Sequence, residues 1–160
     1  MGKFYDGLYE VLSLHVRYSA WLNTPTERPA RSINPPRSRL EQFRIDRKEE
    51  DYSPDMPPVS AGHLILYLWE IGPILADGMG SRPINHAELL AWSELIGIEL
   101  QPWEARFILR LSQDYLMASR AAEKPDYPSP WVTATVTQEQ RDAVSRQVQN
   151  SLRSLMRAGQ

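Results

Sequence analysis

Gly97 and Pro102 interrupt what would otherwise be one long run of helically spaced apolar residues between Asn85 and Ala122. Neither residue suits a helix interior: glycine costs about 1 kcal/mol there and proline about 3. The stretch must therefore fold as two helices meeting at a corner. Asn85 can cap the first, because its side-chain oxygen accepts an orphan backbone N–H, and Glu88 three residues on completes a capping-box pattern. Leu89, Leu90, Trp92, Leu95 and Ile96 recur at helical spacing. Gly97 ends that helix in a left-handed conformation, and Ile98 is placed to fold back on the Trp92–Ser93 turn as a Schellman closure. Pro102 suits a first helical position, where a missing N–H is harmless, and Glu104 falls where the helix dipole favours negative charge. Trp103, Phe107, Leu111 and Tyr115 follow on one stripe, widened by Ile108, Leu109, Leu116 and Met117. Two tryptophans, Trp92 and Trp103, are expected to be buried at this corner.

The rest of the chain must supply what packs against the corner. With 160 residues, 42% of them hydrophobic, it can hold one modest core with arms attached. A net charge of −2 gives no global field toward nucleic acid or an anionic membrane. The absence of cysteine excludes disulfides and thiolate chemistry. No signal-peptide core or myristoylation pattern is read at the N-terminus, and no apolar run approaches the roughly 20 residues that span a bilayer. A soluble protein is expected.

The reading assigns 1–22 to an amphipathic helix, in which Phe4, Leu8, Val11, Leu12, His15, Tyr18 and Leu22 share one broad face. His15 has no second ligand one turn away, so it is expected to be a packed, hydrogen-bonded histidine. Residues 23–58 are assigned to a proline- and arginine-rich linker holding seven of the 13 prolines. Within it Arg28 to Lys48 carry seven basic and two acidic side chains, and Glu49, Glu50, Asp51 and Asp55 then reverse the sign. Its few apolar residues favour a solvated segment, with at most a transient charged helix over Ser38 to Asp51. Residues 59–122 form the central helical domain, beginning with the dense run Leu64, Ile65, Leu66, Leu68, Trp69 and Ile71. Gly78, Gly80 and Pro83 are read as turn chemistry or a hinge. An extended linker over 123–136 is expected to dock Trp131 on the helical core. A separate amphipathic helix over 137–160 opens on the Thr137/Gln140 capping box and carries the narrow stripe Val144, Val148, Leu152 and Leu155. Such a stripe suits one neighbouring helix, in this chain or another. The fold class expected is all-α.

Chemistry-bearing patterns are few. His15, His63 and His86 are far apart in sequence, and no H-x-x-x-H or H-E-x-x-H occurs, so no metal site is expected. The lone Gly78-Met79-Gly80 lacks the third glycine of a dinucleotide fingerprint and the Gly-Lys-Ser/Thr of a phosphate loop, so no nucleotide cofactor is expected. There is no G-x-S-x-G elbow. Glu88 and Glu104 sit at capping positions, which account for them at about 0.5–2 kcal/mol each without catalysis. The chain reads as a non-enzyme.

The pattern Trp92-x-x-Leu95-x-Gly97-Ile98-x-Leu100-x-Pro102-Trp103-Glu104, followed by Leu111 and Tyr115-Leu116, resembles one found in small proteins encoded among the tail genes of long-tailed bacteriophages, classed as tail assembly chaperones or minor tail proteins. The upstream Leu68-Trp69-Glu70-Ile71-Gly72 is similar to a segment preceding the pattern there, and together they span roughly Leu64 to Met117, about a third of the chain. The resemblance implies a helical protein that coats the helices of the tape measure protein and recruits the tail tube protein, working in the host cytoplasm or remaining in the virion. The bottom-up features agree with a binding role: Trp92, Leu100, Trp103 and the Val144, Val148, Leu152, Leu155 stripe are the candidate partner contacts. A homo-oligomer is compatible with that stripe, no membrane is involved, and nucleic acid, through the Arg28 to Lys48 cluster, is the least favoured partner.

Overall fold

The computed structural model describes residues 2–27 and 33–132. Helix α1 runs over Gly2–Asn23, α2 over Arg39–Arg47, α3 over His63–Ile71, α4 over His86–Ile96 and α5 over Pro102–Ala122; strands β1, Leu75–Asp77, and β2, Gly80–Arg82, lie between α3 and α4. Among the described residues the protein is mostly helical, in rough agreement with the all-α expectation, with one two-stranded sheet in addition. The segments expected over 137–160 and at the end of 123–136 lie outside the described residues.

Helices α1 and α5 form the axis, and they are parallel. Tyr5 meets Trp103 at 5.5 Å between ring centroids, Tyr9 meets Phe107 at 5.2 Å, and the Trp21 indole N–H reaches the Tyr127 carbonyl at 2.9 Å. Positions advance together along both helices, as a parallel pair requires. Leu12 and Val16 of α1, Leu64, Ile65 and Leu68 of α3, Leu89 of α4, and Phe107, Ile108 and Leu111 of α5 share one core. The amphipathic face of the first helix is thus part of the central core, not of a separate module. Each fully buried Leu or Ile contributes about 1.5–3 kcal/mol relative to exposure.

Two parallel helices place their negative dipole ends side by side, together with carbonyls that have no partner within either helix. Arg39, only 9% exposed, sits at that end. Its guanidinium donates to the carbonyls of Trp21 at 3.2 Å, Ala122 at 2.8 Å and Lys124 at 2.7 Å, and it lies 4.6 Å from the Trp21 ring centre. The expectation of a solvated linker is corrected here: α2 is a docked helix, capped by Ser38, whose side chain accepts the Glu41 N–H at 3.2 Å, while Glu41 accepts the Ser38 N–H at 2.7 Å. The segment has few apolar residues, Leu40 and Phe43 among them, and one arginine that satisfies the ends of two other helices offsets part of its ordering cost. Arg44 and Arg47 are also engaged, with the Tyr52 carbonyl at 3.0 Å and the Tyr52 ring at 4.2 Å.

The expected turn or hinge around Gly78 is a β-hairpin, with Leu75 opposite Arg82 and Asp77 opposite Gly80. Strands of three residues are too short to show alternation in sequence. Gly80 has a φ of 147°, closed to residues with a side chain. Ser112, fully buried on α5, clips the hairpin down: its hydroxyl donates to the Pro73 carbonyl at 2.6 Å and accepts the Ile84 N–H at 2.9 Å.

Candidate functional site

The corner between α4 and α5 is built as its punctuation requires. Asn85 accepts the Glu88 N–H at 3.0 Å, and Glu88 accepts the Asn85 N–H at 2.9 Å. Glu88 also binds Arg82 of the hairpin through two guanidinium nitrogens, and that pair, with the Asn85 N–H, lowers its carboxyl to about 2. Gly97 takes φ 75°, and the Ile98 N–H returns to the Ser93 carbonyl at 2.9 Å, closing the Schellman turn. Gln101 then donates its N–H to Glu104 at 2.8 Å, and the second oxygen of Glu104 lies 2.8 Å from His63 Nε2 at the start of α3.

This construction holds α4 away from α5 and leaves a cleft of about 500 Å³ between them. Its walls are Leu89, Leu90, Ile98, Leu100, Ala105 and Leu109, and Glu94 and Glu99 are the charged residues of its rim, with no Lys or Arg in the lining. A second hollow of about 640 Å³ adjoins it, sharing His86 and Leu109 and lined by Tyr5, Trp103 and Phe107, with Arg106 and Arg110 alongside. Leu90, one wall of the cleft, is 58% exposed, whereas Leu95, 88% exposed, lies on the other side of α4. An apolar cleft with so exposed a wall has the character of a binding surface.

The predicted contact residues separate. Leu100 lines the cleft and Trp103 the adjoining hollow, where it packs 5.4 Å from Phe107. Trp92 points elsewhere: it is half-buried against Tyr67, ring centroids 5.2 Å apart, on the α3 side of α4. Trp92 does not line the cleft. Val144, Val148, Leu152 and Leu155 lie outside the described residues. The sequence reading missed Leu90, Ala105 and Leu109 as walls of a cleft. The available signal was that Leu89, Leu90, Trp92, Leu95 and Ile96 cover more of the helix surface than one neighbour can bury.

A polar cluster lies on the opposite flank of α5. Asp114 accepts the Tyr9 hydroxyl at 2.5 Å and the Ser13 hydroxyl at 2.6 Å, and the Arg110 guanidinium lies 3.8 Å from the Tyr9 ring centre. Burial, and then the Asp114 carboxylate, push the Tyr9 phenol well above its ordinary value, so it is a fixed proton donor. The cluster ties α1 to α5. His15, on the same helix, is half-buried with Nδ1 2.8 Å from the Pro57 carbonyl, the packed and bonded state its sequence context predicts. Trp131 also docks as expected, 5.2 Å from Tyr18. Among the described residues no three His, Asp or Glu side chains come together as a metal-ligand group, and no helix is long and apolar enough to cross a membrane.

Fold and site together define a mostly helical protein with an apolar, acid-rimmed cleft at a helix corner. Compared with known proteins, the chain matches no family model, no curated protein and no solved structure.

Proposed function

We propose that this chain is a non-enzymatic protein-binding factor of bacteriophage tail assembly, a chaperone that seats apolar helices of the tape measure protein in the α4–α5 cleft and brings them to the tail tube protein. One observation carries this reading: residues of the phage-like pattern build the cleft, since Gly97, Ile98 and Leu100 line it and Trp103 lines the adjoining hollow. A cleft of about 500 Å³ with aliphatic walls accepts two or three side chains from one helical stripe. The chain works in the host cytoplasm while the tail is being built. Co-expression with the tape measure protein and pull-down tests this: a complex that Leu100→Asp abolishes is expected, and no complex with the unaltered chain would sink the reading.

A structural virion component, ordered by neighbouring subunits, is the second reading, favoured by the extended 123–132 arm that lies along α1 through Trp21 and Trp131. Mass spectrometry of purified particles beside infected-cell lysate separates the two. A fixed copy number in particles selects the structural role, and presence in lysate alone selects the chaperone. The nucleic-acid adaptor reading is weakened by the engagement of Arg39, Arg44 and Arg47 within the fold.

A further inference from the structure

The two hollows that meet at Leu109 carry opposite charge. The segment from Asn85 to Glu104, which forms α4 and the corner, contains Glu88, Glu94, Glu99 and Glu104 but no Lys or Arg. Glu88 and Glu104 are engaged by Arg82 and His63, whereas Glu94 and Glu99 stand at the rim of the cleft. From Ala105 to Gln113 the sign reverses: Arg106 and Arg110 are the charged residues there, and both line the adjoining hollow. Around α5, at about 100° per residue, Arg106 lies about 60° from Leu109, which is shared by the two hollows. On α4, Glu94 lies one turn on from the exposed wall residue Leu90. The apolar cleft is therefore bordered by acids on the α4 side and by arginines on the α5 side. Glu94, Glu99 and Arg106 are exposed and, among the described residues, belong to no ion pair, while Arg110 lies 3.8 Å from the Tyr9 ring centre.

We propose that the cleft selects its partner by charge as well as by apolar fit: the occupant is an amphipathic helix whose apolar stripe has basic residues on one flank, against Glu94 and Glu99, and acidic residues on the other, against Arg106 and Arg110. This rests on the reading of the cleft as a helix seat and deepens it by naming the partner's charge pattern. The lining from Pro102 to Gln113 extends ~17 Å along α5, the length of about three helical turns. A helix with cations on both flanks meets Arg106, one with anions on both meets Glu94 and Glu99, and either like-charge contact is costly. The two borders also set the direction in which the partner lies, because turning a helix end for end exchanges its flanks. The acidic border repels a nucleic acid. A second copy of the chain fits less well, since an isologous contact sets hollow against hollow and fills neither.

Three synthetic peptides of about four helical turns test this, each with the same leucine stripe and a fluorophore: one with Lys on one flank and Glu on the other, one with Lys on both, and one with Glu on both. Binding to the full chain is followed by fluorescence anisotropy. The divided peptide is expected to bind about tenfold or more tighter than either uniform peptide at low ionic strength, with the margin shrinking as salt is added. Arg106→Glu should move the preference to the all-Lys peptide, and Glu94→Lys with Glu99→Lys should move it to the all-Glu peptide. All three positions are exposed, and an unchanged circular dichroism spectrum would show that the fold is intact. Equal binding of the three peptides, binding of none, or a preference that the reversals leave in place would overturn the proposal. A dimer of the chain alone in light scattering, dispersed by Arg106→Glu, would overturn it in favour of a second copy in the cleft. Capture of the tape measure protein is a separate readout. Peptides that sort as expected while that protein is not captured uphold the charge pattern and remove the chaperone reading, whereas capture with the peptides binding alike keeps the chaperone reading and overturns the charge pattern.

Discussion

Helices α1 and α4 each bring an apolar stripe to α5, yet the two junctions end differently. Leu12 of α1 is wholly buried and a polar seam around Asp114 locks the contact, whereas α4 leaves Leu90 58% exposed in the wall of an open cleft. The difference lies in the approach of the two helices. Alongside α5, α1 keeps a continuous register, so successive side chains interdigitate along its length. At the other junction, α4 reaches α5 through a Schellman turn and a short extended segment, and that corner fixes the angle whatever the side chains can fill. A stripe is buried by geometry as much as by hydrophobicity, and the part that geometry leaves uncovered is where the function proposed above seats its partner.

The largest effect expected from breaking this contrast is on the closed side. Ile108→Ala removes a fully buried side chain facing α1 and α3, and should cost about 2–5 kcal/mol in urea denaturation. Next comes the sealed end of the same junction, where Arg39→Ala strips donors from three carbonyls and should cost about 1.5–3 kcal/mol, with Arg39→Lys recovering little because an ammonium cannot match the planar fork. A smaller effect is expected at the cap of α4. Glu88 is held at about 2 by Arg82 and the Asn85 N–H, against an ordinary value of 4.5, so its contribution is present above pH 4.5 and is lost as pH falls from there toward 2. Arg82→Gln should flatten that part of an acid titration followed by circular dichroism. The smallest stability effect sharpens the contrast: Leu90→Ser, at a cleft wall already 58% exposed, should change stability by less than about 1 kcal/mol and, on the function proposed above, should weaken capture of a partner helix in pull-down.

Local grammar made the corner legible. The Asn85/Glu88 box, Gly97 and Pro102 are signals spanning four residues or fewer, and each acts in the structure as its chemistry dictates. What could not be read was long-range. Arg39 belongs to a charged, proline-flanked stretch, and nothing nearby in sequence announces that its partners are the carbonyls of Trp21 and Ala122. The hairpin was hidden by the brevity of its strands, and its anchor, Ser112, looks like any polar interruption of a helical stripe. The cleft was half legible. Leu100 and Trp103 stood out as large apolar residues at a corner, but which way Trp92 turns depends on Tyr67, on a helix read separately.

The parallel pairing of α1 with α5 has a consequence for synthesis. An antiparallel hairpin of helices can close as soon as its second helix leaves the ribosome, but here the first helix made must wait for the last one described, with α2, α3, the hairpin and α4 emerging in between. The entropy of closing so long a loop grows only logarithmically, yet the delay raises the contact order and slows folding. Through that interval the face carrying Leu12 and Val16 lacks α5, its principal partner, so the nascent N-terminal helix is where aggregation or capture by a host chaperone would begin.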